Sequence, residues 1–192
     1  GTFFKSVYTS TDKIMLTRLS TLEFTGIYSI AHRIVLIMFL PIRALLDSSI
    51  ARFFRTGEEG LEKTWEFALR FMPMLLGYGM LVGLGLYFLA PIMPLLFGEE
   101  YTASIGAIRW LCLIPLLQSM HYLIANTLTG AGMQGIRSGI QAMIAILNVG
   151  LNLLLIPLYS WKGAIWATLI SETLLGILLF SVIIWNKRTY KA

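Results

Sequence analysis

Apolar residues run through this chain in long uninterrupted blocks rather than in the mixed spacing of a soluble fold. From Phe71 to Gly98 no side chain is charged, and none is charged from Ser138 to Trp161. Between Arg109 and Arg137 the titratable side chains are Cys112, His121 and Tyr122, and between Lys162 and Lys187 the single charge is Glu172. A fifth run, Gly26 to Phe54, is as long but carries His32, Arg33, Arg43, Asp47 and Arg52. A helix that crosses a bilayer core needs about 20 mostly apolar residues, so each block predicts one span. The polar stretches between them (55–63, 96–101, 130–135 and 157–163) are short and punctuated by Gly and Pro, as helix stops are. Alternating ten-residue segments of the membrane-barrel type are absent.

The opening residues, GTFFKSVYTSTDKIMLTRLS, carry no charged leader followed by a cleavable apolar region, so they do not read as a signal peptide. They read as the end of a sixth helix, and the chain as part of a longer protein. The expected fold is therefore all-α: a polytopic transmembrane bundle of five complete spans plus the end of a sixth. It forms one domain over 1–192, with spans at about 3–20, 26–54, 64–97, 102–129, 135–159 and 162–187.

Composition strengthens this picture. Apolar residues make up 57% of the chain and charged ones 13%, against about 45–50% and about 25% in soluble domains. That balance excludes a disordered chain. The lone Cys112 excludes a disulfide scaffold, and a net charge of +5 is too small for a basic nucleic-acid surface. The charge is also unevenly placed. Arg52, Arg55, Lys63, Arg70, Arg137, Lys187, Arg188 and Lys191 fall at one set of span ends, and only Arg18, Arg109 and Lys162 at the other. By the positive-inside rule the 55–63 and 130–137 loops and the C-terminus are cytoplasmic.

Polar side chains inside spans usually face protein or a wet cavity. In the 26–54 helix Tyr28, His32, Arg43 and Asp47 share an arc of about 100°, with Arg33 about 40° beyond it. Arg43 and Asp47, four apart, can pair. The stripe is either a cationic face or a structural pair with Arg33 reaching outward. In the 134–159 helix Gln134, Ser138, Gln141, Asn148 and Asn152 share an arc of about 80°. These amides either bridge helices or line a solvated path. Glu172 lies mid-span, where burial would favour its protonated form; it is either a proton carrier or a hydrogen-bond partner. Asp12 sits beside Lys13 in the opening helix, and His121 lies near the middle of the fourth span. No metal-ligand cluster, phosphate-binding glycine loop or nucleophile–base set is present, so no metal, no cofactor and no enzymatic activity is expected.

Three stretches carry a family resemblance: 12–34 (DKIMLTRLSTLEFTGIYSIAHRI), 96–119 (LFGEEYTASIGAIRWLCLIPLLQS) and 148–172 (NVGLNLLLIPLYSWKGAIWATLISE). Asp12, Gly26 and Tyr28, the turn at Phe97, Gly98 and Tyr101, and the block from Asn148 and Asn152 through Ile156-Pro157, Gly163-Ala164, Ala167-Thr168 and Ser171-Glu172 resemble bacterial polysaccharide flippases. The resemblance is to the O-antigen and repeat-unit transporters of the multidrug/oligosaccharidyl-lipid/polysaccharide exporter superfamily. It implies the C-terminal six-helix half of a carrier in the bacterial cytoplasmic (inner) membrane, partnered by its N-terminal half and by membrane lipids, with no nucleic acid. The implied substrate is an undecaprenyl-diphosphate-linked oligosaccharide, flipped by alternating access for surface-polysaccharide synthesis. On that reading Arg33, Arg43, Arg70 and His32 are candidates for the diphosphate, since arginine holds such groups bidentately. Asn148 and Asn152 are candidates for sugar hydroxyls or for packing, and Glu172, Asp12 and Asp47 for ion coupling. The competing functions are a drug or cation antiporter of the same superfamily, a lipid II flippase, a glycan polymerase or ligase, and a non-transporting half.

Overall fold

A computed structural model describes residues 12–189. The first described helix, α1, covers 12–19; the expected start of that span at 3–11, and Lys191 in the tail, lie outside the described residues. There follow α2 (Leu22–Ser48), α3 (Ile50–Gly57), α4 (Leu61–Leu89), α5 (Met93–Phe97), α6 (Ser104–Leu111), α7 (Ile114–Gly130), α8 (Gln134–Tyr159) and α9 (Trp161–Thr189), with single-turn helices at Ala90–Ile92 and Glu99–Tyr101. No strand occurs among the described residues. Five stretches are long and apolar enough to cross a membrane: Leu22–Ser48, Leu61–Leu95, Ser104–Gly130, Gln134–Tyr159 and Trp161–Asn186. The protein is an all-α, multi-pass membrane bundle.

Two of the spans that depart from simple rods do so for an evident local reason. The expected 26–54 helix begins earlier, at Leu22, because the Thr21 hydroxyl accepts from the Phe24 N–H and caps it. It breaks at Ser49, where the Ser48 and Ser49 hydroxyls both donate to the Leu45 carbonyl and compete with the helix ladder. The short α3 that follows buries Phe53 against Phe67 and Phe71 and leaves Arg52 and Arg55 exposed. The expected 102–129 span is broken between α6 and α7 at Cys112 and Leu113, because Pro115 has no N–H to offer the Leu111 carbonyl.

Helix α7 is the centre of the bundle and packs against α2, α3, α4, α8 and α9. The Ser104–Gly130 span is mostly buried, whereas Leu61–Leu95 is mostly not and turns Met74, Met80, Leu81, Leu84 and Phe88 outward. In hydrocarbon such faces have nothing to gain from hiding, so close packing and polar contacts hold helices together instead. The closest approach is at the base of α7. A Cβ on Gly57 would collide with the Gly130 carbonyl, and one on Gly130 with the Phe53 carbonyl, so only two glycines allow α3 to touch α7 there. Gly132, at φ +77, then turns the chain into α8.

The core is layered along the length of the helices. One apolar cluster gathers Phe39, Leu46, Phe53, Trp65, Leu75, Leu123, Leu128, Ile144 and Leu175 toward the end that holds Arg52, Arg55 and Lys63, called the basic end below. A second gathers Leu16, Ile27, Val35, Leu86, Ile108, Ile114, Ile156 and Ile165 toward the far end. At the far end the Ser20 and Ser160 hydroxyls meet at 2.6 Å and Trp161 lies against Gly106. Between the two clusters every central helix contributes a polar residue: His32 between Ile27 and Phe39, Gln118 and His121 between Ile114 and Leu123, Asn148 between Ile144 and Ile156, Glu172 between Ile165 and Leu175. The candidate site is this middle layer.

Candidate functional site

The middle layer begins with a carboxylate caged by donors. Asp12 is 2% exposed. Its Oδ2 accepts from the Tyr28 hydroxyl and the Thr168 hydroxyl, each at 3.2 Å, and its Oδ1 accepts from Asn152 Nδ2 at 2.9 Å. Asn152 Nδ2 also donates to Asn148 Oδ1 at 2.9 Å, and Asn148 Nδ2 donates to Ser171 Oγ at 3.1 Å. The network joins α1, α2, α8 and α9. Asn148 and Asn152 supply it because they lie one turn apart on the face of α8 that meets α9.

The second carboxylate sits one turn along α9 from Thr168. Glu172 is 3% exposed; its Oε1 accepts from Gln118 Nε2 at 3.0 Å, and its Oε2 lies 2.5 Å from His121 Nε2. His32, 3% exposed, stacks on Tyr28 with ring centroids 5.5 Å apart, and its Nδ1 is buried without a hydrogen-bond partner among the described residues.

Above these groups opens a cavity of about 630 Å³ between α2, α7, α8 and α9. It exists because α2 and α8 both lean on α7 and α9 and hardly touch each other. Its floor is formed by Asp12, His32, Gln118, His121, Thr168 and Glu172. Its walls, toward the basic end, carry Arg33, Arg43 and Asp47 from α2, Asn126 from α7, and Gln134, Arg137, Ser138 and Gln141 from α8. Leu36, Ile37, Phe39, Leu40, Ile144 and Leu175 supply apolar surface.

The charges in it are unequally matched. Asp12 and Glu172 are each held by several donors, and Asp47 pairs with Arg43 at 3.6 Å. Arg33 has no ion-pair partner among the described residues, and Arg137 donates Nη1 to the neutral Thr129 hydroxyl while its Nε is buried without an acceptor. The acids are therefore satisfied from within, whereas two arginines are not.

The residues singled out from the sequence fall into three groups. His32, Arg33, Arg43, Asp12, Asp47 and Glu172 all line the cavity. Asn148 and Asn152 do not: both are fully buried, and their amides are used between helices. Arg70 is exposed and away from the cavity, because α4 packs on a side of α7 that the cavity does not reach. Asp47, grouped in sequence with the coupling acids, lies at the basic end about 22 Å along the α2 axis from His32, in a solvated pair with Arg43. Arg137, Gln118 and Asn126 also line the cavity, beyond the residues that the sequence singles out. Helical spacing contains the signal for Arg137, since it falls three residues after Gln134 and four before Gln141 on the face that carries both.

No protein-family model matches the chain, and neither does any curated protein sequence. Among solved structures it is similar to the outward-facing conformation of a multidrug resistance MATE family transporter of the MOP superfamily. The TM-score is 0.75 at 16% identity, over 95% of this chain. The chain spans 44% of the length of that transporter. The likeness is one of fold.

Proposed function

We propose that this chain forms one half of a membrane transporter that moves a lipid-linked oligosaccharide across a bacterial cytoplasmic membrane, gripping its diphosphate and opening alternately to the two sides. The single observation that carries the reading is the charge imbalance of the cavity. Each acid has donors of its own, whereas Arg33 and Arg137 have no acid among the described residues. A cavity so arranged holds an anion better than a cation. Arginine is suited to a diphosphate because its fork makes two parallel charge-assisted hydrogen bonds. Ser138, Gln134 and Gln141 on the same wall offer hydroxyl and amide groups for sugars.

The floor suits the coupling step. Asp12 and Glu172 are arranged around one turn of α9 and both border the cavity, so a cation or proton entering there reaches either carboxylate. Binding it would loosen the donor cage around Asp12 or the Glu172–His121 contact, which ties α1, α2, α7, α8 and α9 together. That is how a small ion can bias the packing of a whole half. Repeats meeting around a midplane site are a general plan for such carriers.

The acidic floor also favours one second reading, a cation or drug antiporter. The test is transport by the complete transporter in sealed vesicles, offered a fluorescent undecaprenyl-diphosphate oligosaccharide or a cationic dye. The flippase reading expects transbilayer movement of the first and none of the second. Robust dye exchange with no lipid movement overturns it.

A further inference from the structure

We infer that α3 is a membrane-surface contact: Arg52 and Arg55 bind the phosphate headgroups of anionic phospholipids in the leaflet at the basic end, with Phe54 seated in the acyl boundary beside them. The inference is independent of the flippase reading, since it concerns a helix outside the cavity lining. Three neighbouring spans set the depth of α3. The 27 residues of α2 extend about 40 Å, against about 30 Å for a hydrocarbon core, so α2 is long enough to carry Ser48 clear of the core. Beyond it, α3 lies across the last residue of α7, where Gly57 and Gly130 let the backbones meet. Its Phe53 packs on Phe67 and Phe71, near the start of α4. The helix therefore sits where α2 and α7 end and α4 begins, at headgroup depth.

Around α3 the residues fall into strips. Phe53 and Gly57, one turn apart, face the protein. Arg52 and Arg55, three apart, share the opposite face and are both exposed. Phe54 lies between the two strips and is 44% exposed. Neither arginine forms an ion pair among the described residues, although Glu58, Glu59 and Glu62 follow closely in the chain. The guanidinium groups are thus turned away from these acids. The nearby Lys63, by contrast, pairs with Glu66 at 3.4 Å. Two cationic forks beside an aromatic ring match the layered chemistry of a lipid surface, with phosphate outside and acyl chain within. A soluble acidic partner would leave the ring unused. Because α3 presses on the base of α7, anchoring it fixes the depth of the central helix in the leaflet.

The experiment places an environment-sensitive fluorophore on Ala51→Cys, at an exposed position beside Arg52, in the complete protein freed of other reactive cysteines. Phosphatidylglycerol, phosphatidylcholine or soluble glycerol 3-phosphate is titrated into the detergent-solubilised protein, and thermal melting is recorded alongside. The labelled protein with both arginines intact should bind phosphatidylglycerol more tightly than phosphatidylcholine. Arg52→Gln and Arg55→Gln should each weaken the phosphatidylglycerol interaction by about fivefold, the effect of one basic residue near an anionic leaflet. Lys63→Gln, which removes a cation already paired, should change it little. Equal affinity for the two lipids, undiminished phosphatidylglycerol binding in the arginine variants, or an equal loss in Lys63→Gln overturns the proposal. Glycerol 3-phosphate binding as tightly as the lipid would make this a free-phosphate site and overturns it too. A fall in melting temperature of Arg52→Gln and Arg55→Gln in phosphatidylcholine alone would mean that the rest of the protein covers this face, which overturns it as well.

Discussion

The floor and the wall of the cavity solve opposite problems with the same kinds of residue. On the floor, Asp12 and Glu172 are almost completely removed from solvent, and each is surrounded by groups that donate to it: Tyr28, Thr168 and Asn152 around one, Gln118 and His121 around the other. A carboxylate at mid-membrane depth is costly without such company, so the floor is built as structure first. On the wall, Arg33 is exposed to the cavity and lacks an acid, and Arg137 keeps a buried donor unused. The lesson is that the charge which is fully matched holds the helices together, and the charge left unmatched is the part available to a guest.

That contrast breaks most visibly at Asp12. Asp12→Ala removes the acceptor shared by Tyr28, Thr168 and Asn152, and leaves these groups only their bonds to one another, to the Ala164 carbonyl and to Asn148. Each lost hydrogen bond costs about 0.5–1.5 kcal/mol, and α1 loses its tie to α2, α8 and α9, so the melting temperature of the complete protein should fall by more than in any variant below. A melting point unchanged from wild type contradicts the structural role of the floor. Next in size is Glu172→Gln, which keeps an acceptor for Gln118 but removes the charge beside His121. Transport driven by an ion gradient should be lost while substrate binding persists; gradient-driven transport at the wild-type rate would remove Glu172 from the coupling path.

A smaller effect tests the wall. Arg33→Ala touches no structural partner among the described residues, so membrane abundance should stay normal. Surface-glycan complementation should fall, in line with a charge-assisted hydrogen bond of about 1.5–3 kcal/mol. Full complementation would show that the substrate does not use it. Smallest of all is Asp47→Asn. The Arg43–Asp47 pair has side chains 50% and 67% exposed, and pairs of that kind contribute about 0–1 kcal/mol. Thermal melting should move little, and diphosphate binding should if anything tighten as Arg43 is released. A large loss of stability would mean the pair is far more shielded than its exposure indicates.

How much of this was legible beforehand follows from the range of the interactions. The spans could be read because charge is excluded from them over 20 or more residues, a property of each segment by itself. The shared face of Asn148 and Asn152 was legible as a helical stripe. Whether it met a neighbour or a ligand was not, because the deciding partners, Asp12 and Ser171, lie far along the chain. The break at Ser49 was hidden for a related reason: two serines in a row read as ordinary polar residues until both hydroxyls are seen on one carbonyl. Arg137 is legible by spacing, although its place at the α7–α8 turn makes it read as a loop charge. Arg70 is the converse: its chemistry suits an anion, but α4 packs on a side of α7 that this cavity does not reach.

The polar belt between two greasy tiers also limits how this assembly can move. A helix that slid lengthwise by one turn would part Asn148 from Ser171, or Glu172 from Gln118 and His121, and leave buried polar groups without the partners they were set against. Tilting all the helices as one body leaves every such residue at its own height. The stratification therefore acts as a lock against shear, and it favours rocking of the whole half as a unit.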